Sequence, residues 1–376
     1  MQENLGIQHP TPGRRAFVLL PAYVDIDSWE EKFRAETVPD LTPYGYHHAL
    51  NDGYQITFSS QYKPKGFLSL IASKIAWRIL GFDLLQVWQN RNALRHSHID
   101  IVWTHTEYEF LGFLLMRRLG LVRSIPVIAQ SVWLVDTWKS MPRARKAFFT
   151  WLLRKADVCT FMSPANHAFA KRNRWGRDAK LMDFGISIDS FKLQAPPPQA
   201  RALEHGKVRV LALGNDRHRD WVTLHKALAN KDQFEIKIAS STFSKELAGG
   251  NIEAQKCNQR ELKSLYGWAD VVVVPLVDNL HASGISVMLE ATALGKAVVA
   301  TNTGGLTHYF TQEHVWYVPV GDPTRLAQIV AEVVMDPAAT ANKIRAAQSR
   351  LVEMDFTTHG YARRHARLSD ALLDRD

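Results

Sequence analysis

The stretch DVVVVPLVDNLHASGISVMLEATALGKAVVAT, residues 270–301, decides the fold. Its valine run is short, β-branched and apolar on both faces, the pattern of a strand buried inside a parallel sheet. A polar loop with a Ser283-Gly284 step follows, then the apolar run ISVMLEATAL, which reads as a helix. A turn at Gly295 and the run KAVVAT complete a strand–helix–strand unit.

The same rhythm spreads outward from that unit. On its own side of the chain stand KVRVLALGN (207–215), FEIKIAS (234–240) and HVWYVPV (314–320). The first half carries RAFVLLPAY (15–23), YQITFSS (54–60), IDIVWTH (99–105), IPVIAQS (125–131) and DVCTFMS (157–163). Short β-branched runs alternating with helical segments predict an α/β protein with parallel sheets. At 376 residues the chain exceeds what one core usually serves, so two Rossmann-like domains facing across a cleft are expected. The seam falls in LQAPPPQARALEHG (193–206), because three successive prolines continue neither a helix nor a central strand. The predicted organisation is residues 1–193, a linker over 194–206, a second domain over 207–355 and a terminal segment, 356–376.

Composition narrows the class. Cys159 and Cys257 stand far apart, which fits neither a disulfide framework nor a metal signature and suits a reducing compartment. The polar start, MQENLGIQHPTPGRR, does not read as a secretory signal. FLSLIASKIAWRILGFDLL is interrupted by Lys74, Arg78 and Asp83 and is not expected to span a bilayer. Residues 1–195 hold 25 Lys and Arg against 17 Asp and Glu, whereas the remainder holds 21 against 20. A basic first half attracts nucleic acid, anionic lipid or phosphorylated small molecules.

Ligands of open α/β sheets sit beyond the carboxyl ends of the strands. Those ends carry His105, Glu107 and Asp136 in the first half, and Gly214, Asn215, Arg217, Arg219, His281, Ser283, Gly284 and Ile285 in the second. Neither G-x-G-x-x-G nor a P-loop sequence is among them. The start of the helix after Gly284 offers unpaired amides and a partial positive charge, a setting for a diphosphate. Glu290, two turns in, suits paired hydrogen bonds from a ribose. Arg217 and Arg219 are the candidate phosphate cations, since a guanidinium binds phosphate oxygens in pairs. Asp220 is expected to cap the helix that follows.

HASGISVMLEATALGKAVVATNTGG (281–305) resembles the donor-binding signature of the family 4 retaining glycosyltransferases, which have the GT-B fold. Glu290 matches the second acid of that family's E-x7-E helix, which there binds the ribose of the nucleotide sugar. The first acid falls on Ala282, and Ala297 replaces a usual proline. LALGNDRHRDWVTLHKAL (211–228) resembles the opening strand and helix of the family's donor domain. DFGISIDSF (183–191) resembles its exit from the first domain, with Ser187 where an aspartate is usual. The resemblance implies transfer of a sugar from a nucleotide-diphosphate donor, with retention of configuration, and a terminal helix that crosses back to the first domain. No cofactor and no metal are expected, because Arg217 or Arg219 and the helix start can neutralise the diphosphate and no D-x-D pair stands at a strand end.

The first half is then expected to hold a glycan or lipid-linked acceptor. Asp136, Glu107 and His105 are its catalytic candidates, with inversion open through Asp136 or Glu107 as base. KPKGFLSLIASKIAWRILGFDLL (63–85) places Leu68, Ile71, Ile75, Ile79 and Phe82 on one helical face, with Lys74 and Arg78 on another. Such a helix either packs on its own sheet or rests on an anionic membrane; the family resemblance implies surface polysaccharide or glycoconjugate synthesis at the inner face of the cytoplasmic membrane. A nucleotide-sugar epimerase of the same fold, and a basic nucleic-acid-binding protein, are the alternatives.

Overall fold

The computed structural model describes residues 13–64, 66–196 and 206–374. The polar N-terminal stretch (1–12) and most of the proline-rich connector (197–205) lie outside the described residues.

Two six-stranded parallel sheets form the molecule. The first holds β1 (Arg14–Leu19), β2 (Tyr54–Phe58), β3 (Ile101–Thr104), β4 (Val127–Ser131), β5 (Val158–Phe161) and β6 (Asp178–Leu181), in the order β2-β1-β3-β4-β5-β6. The second holds β7 (Val208–Leu213), β8 (Phe234–Ala239), β9 (Ile252–Gln255), β10 (Val271–Val274), β11 (Ala297–Thr301) and β12 (Trp316–Val318), in the order β12-β11-β10-β7-β8-β9. All four valines of β10 are buried, as a strand covered on both faces requires. The chain order reverses between β1 and β3 and again between β7 and β10, and at those points crevices open at the strand ends.

Seven helices bear on function. They are α1 (Gly66–Leu80), α2 (Glu107–Arg118), α3 (Leu134–Trp138), α4 (Trp221–Leu228), α5 (Gln259–Trp268), α6 (Ile285–Ala293) and α7 (Thr358–Leu373). Local chemistry sets several starts. Thr106 and Glu109 form a capping box on α2, and Asp220 accepts the amide of Thr223 at 2.9 Å on α4.

The terminal helix packs against the first sheet. Tyr361, Ala362 and Ala366 of α7 share a core with Val18, Tyr46 and Trp103. Trp103 Nε1 donates to Ser369 at 2.9 Å, and Tyr54 donates to Asp370 at 2.6 Å. A parallel bridge joins Ile186, on the exit from the first domain, to Thr357. Both halves therefore share one joint.

Helix α1 departs from ordinary packing. None of its residues is buried, and Phe67 and Leu68 are 75% and 81% exposed. Among the described residues no helix is long and apolar enough to cross a membrane.

Candidate active site

The cleft between the sheets holds a cavity of about 310 Å³ lined from both sides. The first domain supplies His105, Trp133, Tyr23 and Tyr44; the second supplies Gly214, Asn215, Asp216, Arg219 and residues 281–287. The structure thus brings His105 together with Gly214, Asn215, Arg219, His281, Ser283, Gly284 and Ile285. Arg217, by contrast, is exposed and does not line this cavity.

Arg219 is the unusual group. It is only 8% exposed, yet its Nε and Nη1 have no hydrogen-bond partner. Two glycines make its seat. A Cβ on Gly214 would stand 2.3 Å from Arg219 Nε, and one on Gly284 would stand 2.7 Å from Nη1. Gly284 also turns the chain at φ +80°, where side chains are disfavoured, just before α6. Burial lowers the Arg219 pKa to about 10, with Asp216 opposing, so the guanidinium stays charged at neutral pH. Beside it α6 begins with no side-chain cap, and the buried Ser283 hydroxyl is also unpartnered. A buried cation with free N–H groups next to an open helix start suits an anion.

Glu290 lies on the same helix but in the neighbouring cavity, about 340 Å³, with Tyr23, Tyr44, Phe184 and Ser286 common to both. Tyr266 of α5 donates to its Oε2 at 2.8 Å. Burial raises the carboxyl to about 7, against the pull of that hydrogen bond.

His281 clasps the two domains. Its Nδ1 stands 2.9 Å from Asp136 of α3 and its Nε2 3.1 Å from Asp216 of the loop after β7. Burial opposes a charge on the ring, but the hydrogen bonds to Asp136 and then Asp216 raise its pKa above the ordinary value. Asp136 Oδ1 accepts the Leu280 amide at 2.6 Å, so both its oxygens are engaged across the interface. Trp133 Nε1 reaches Asp216 at 3.3 Å, and Ser163 donates to the Leu280 carbonyl at 2.5 Å.

The other acceptor-side candidates are also held. Glu107 accepts the amides of Val132 at 2.9 Å and Trp133 at 3.1 Å, which shapes the loop after β4; burial nevertheless raises its pKa. His105 stacks on Tyr44 with ring centroids 3.3 Å apart, and burial, then His365, depresses it to about 3. It faces the cavity as a neutral imidazole. Sequence reasoning missed Asp216, Tyr266, Tyr44 and Trp133. Only Asp216 had a local signal, as the acid between Asn215 and Arg217 in a loop already singled out.

Residues 245–350 match the profile of the glycosyl transferases group 1 family. No curated protein sequence matches the chain. Among solved structures, a sucrose-phosphate synthase from Thermosynechococcus elongatus superposes with a TM-score of 0.72 at 17% identity, over 96% of this chain and 100% of its own. HepE from Anabaena, in complex with UDP and glucose, gives 0.67 at 13% identity, over 95% and 99%. A UDP-forming α,α-trehalose-phosphate synthase from Burkholderia vietnamiensis gives 0.63 at 12%, over 96% and 100%. The match to the glycosyl transferases group 1 profile thus falls on the part of the second domain that holds β10, α6 and β11, within a chain of two-domain GT-B fold.

Proposed function

We propose that the protein transfers a sugar from a nucleotide-diphosphate donor to a glycan or lipid-linked acceptor, in surface polysaccharide or glycoconjugate synthesis. The observation that carries this reading is Arg219, a buried guanidinium with free N–H groups beside the uncapped start of α6. A leaving diphosphate is the anion that such a site stabilises, and the developing charge is met by fixed dipoles and a fixed cation, with no metal required. Glu290, on the next cavity along the same helix, is the ribose acceptor. The complex of HepE with UDP-glucose makes UDP-sugars the first donors to test.

Retention of configuration is the reading we favour. Inversion needs a base free to take the acceptor proton. Asp136 and Glu107 both direct their oxygens to backbone amides, and Asp136 also bonds His281. They act here as positioning residues, while neutral His105 is placed to contact the donor sugar.

The acceptor enters beside α1. A cavity of about 380 Å³ lined by Trp77, Arg78, Glu107, Tyr108, Arg145 and Phe149 lies between α1 and α2. Arg145 donates to the carbonyls of Arg78 and Ile79 at 2.9 and 3.1 Å, so its charge sits at the end of the exposed apolar helix. Apolar side chains with Lys74, Arg78 and Arg145 nearby suit peripheral attachment to an anionic membrane face, where a lipid-linked acceptor resides.

A thermal-shift panel of UDP, GDP and ADP with their sugars tests the donor site, since saturating ligand raises stability by a few kcal/mol. Transfer assays with added glycan follow. Stabilisation by none of them, with salt-sensitive binding of arbitrary RNA or DNA, would sink the reading. Donor turnover without any acceptor would point to epimerisation.

A further inference from the structure

Three histidines and two aspartates crowd the joint between the domains, where Asp40 also lines the cavity that holds Glu290. His47 and His48 belong to the 3-10 helix Pro43–Asp52, Asp189 to the exit from the first domain, and His359 to the first turn of α7. The rings of His48 and His359 stack with centroids 3.4 Å apart at 24°, and His47 lies 3.8 Å from His48. One ligand atom from each of His48, Asp189 and His359 lies within 4.8 Å of the others.

His48 is the informative member. Its side chain is 10% exposed, and its Nε2 is buried without a hydrogen-bond partner. Asp40 Oδ1 stays 3.9 Å away, too far to serve. Buried nitrogens ordinarily find partners, because a dry, unpaired polar atom is costly.

We propose that His48, His359 and Asp189 bind a zinc ion that ties the first domain, its exit segment and the terminal helix together. Two imidazoles and a carboxylate form a zinc donor set, with bonds of about 2.0–2.2 Å and a fourth position for water. Around a tetrahedral ion the ligand atoms stand about 3.3 Å apart. The side chains of His359 and Asp189, 38% and 77% exposed, are free to close that gap by rotation. Asp40 and His47 form another close trio with His48, but the Asp40 side chain is only 6% exposed and has little room to move onto an ion. A third close trio, Asp136, His218 and His281, differs in kind, since both His281 nitrogens already meet carboxylates. The ion would restrain the joint about which the domains move, and it takes no part in neutralising the diphosphate.

Calorimetric titration of the chelator-treated full chain with Zn²⁺ alone, repeated with Co²⁺ and read by its visible spectrum, tests the site. Wild type and His98→Gln, a surface histidine outside the cluster, should take up one ion per chain. Asp189→Asn and His359→Gln should each weaken uptake by at least about tenfold. Asp189 is exposed, so loss of the ion in that variant, with an unchanged metal-free melting temperature, cannot be misfolding. Absence of zinc binding by wild type, wild-type affinity in both variants, or loss of the ion only in His218→Gln would overturn the assignment.

Discussion

Helices α1 and α6 are built from similar residues and meet opposite fates. Both are short, strongly apolar and sparsely charged. In α6 seven residues are buried, wedged between the second sheet and the helix Pro337–Glu353. In α1 none is buried, and Ile75, Trp77 and Ile79 face outward at 53%, 40% and 68% exposure. Composition therefore sets the capacity to bury apolar surface, and the neighbouring elements decide whether that capacity is used within the fold. The covered helix presents an uncapped start beside the buried Arg219. The uncovered one leaves an exposed apolar patch.

The largest expected effect tests that contrast directly. Leu289→Ala in α6 removes a fully buried side chain and should cost about 2–5 kcal/mol in denaturant unfolding. Ile75→Ala in α1 should stay within about 0.5 kcal/mol. Equal costs would mean that α1 is buried in solution and would break the comparison.

Next comes the anion site at the start of α6. Arg219→Met should weaken binding of a cognate nucleoside diphosphate by about 3 kcal/mol, roughly a hundredfold, by calorimetry. Arg217→Met should change it little. If Arg217 carried the larger effect, exposure in this structure would be a poor guide to the bound state.

A smaller loss, about 1.5–3 kcal/mol, is expected for Glu290→Gln. The substitution should also erase the preference for a ribonucleoside diphosphate over its 2′-deoxy analogue, an outcome that mere loosening of α6 would not produce. Because Glu290 ionises near pH 7 in the folded chain, wild-type affinity should climb between about pH 6 and 8 while the variant stays flat. The sign for the ligand-free fold is opposite. A carboxyl raised from 4.5 to about 7 lowers folded-state stability as pH rises through that window.

The smallest effect per charged residue belongs to α1. Lys74→Glu with Arg78→Glu should lower attachment to anionic vesicles by about 1 kcal/mol per reversed residue or more, measured by sedimentation, with unfolding unchanged. Wild-type protein that never sediments with such vesicles would leave the exposed face to another partner.

Much of the fold was legible because strand and helix signals are local. The runs at β1, β2, β7, β8 and β10–β12 are apolar or β-branched, and each ends within a few residues of its reading. The sequence reading passed over β6 and β9, DAKL and IEAQ, at the edges of the two sheets. Edge strands face solvent, carry charge and lack the apolar run that marks a central strand. The donor stretch was legible for a similar reason, since a glycine before an apolar helix exposes amides whatever surrounds it.

The roles of individual side chains were not. Arg217 and Arg219 stand two residues apart in one loop, and nothing local separates them. Burial between Gly214 and Gly284 does, and those glycines lie 70 residues apart in sequence. Asp136 and Glu107 read as bases from their places after strands, yet their hydrogen bonds run to Leu280, His281, Val132 and Trp133.

The sequence by itself determined two runs of βαβ units and a helix opening suited to an anion, because periodicity, β-branching and glycine act over a few residues. Only the tertiary structure decided which charges meet, which helix stays bare and which histidine nitrogen goes unpaired. Those outcomes depend on the dielectric and on partners brought in from distant parts of the chain, and no local pattern encodes either.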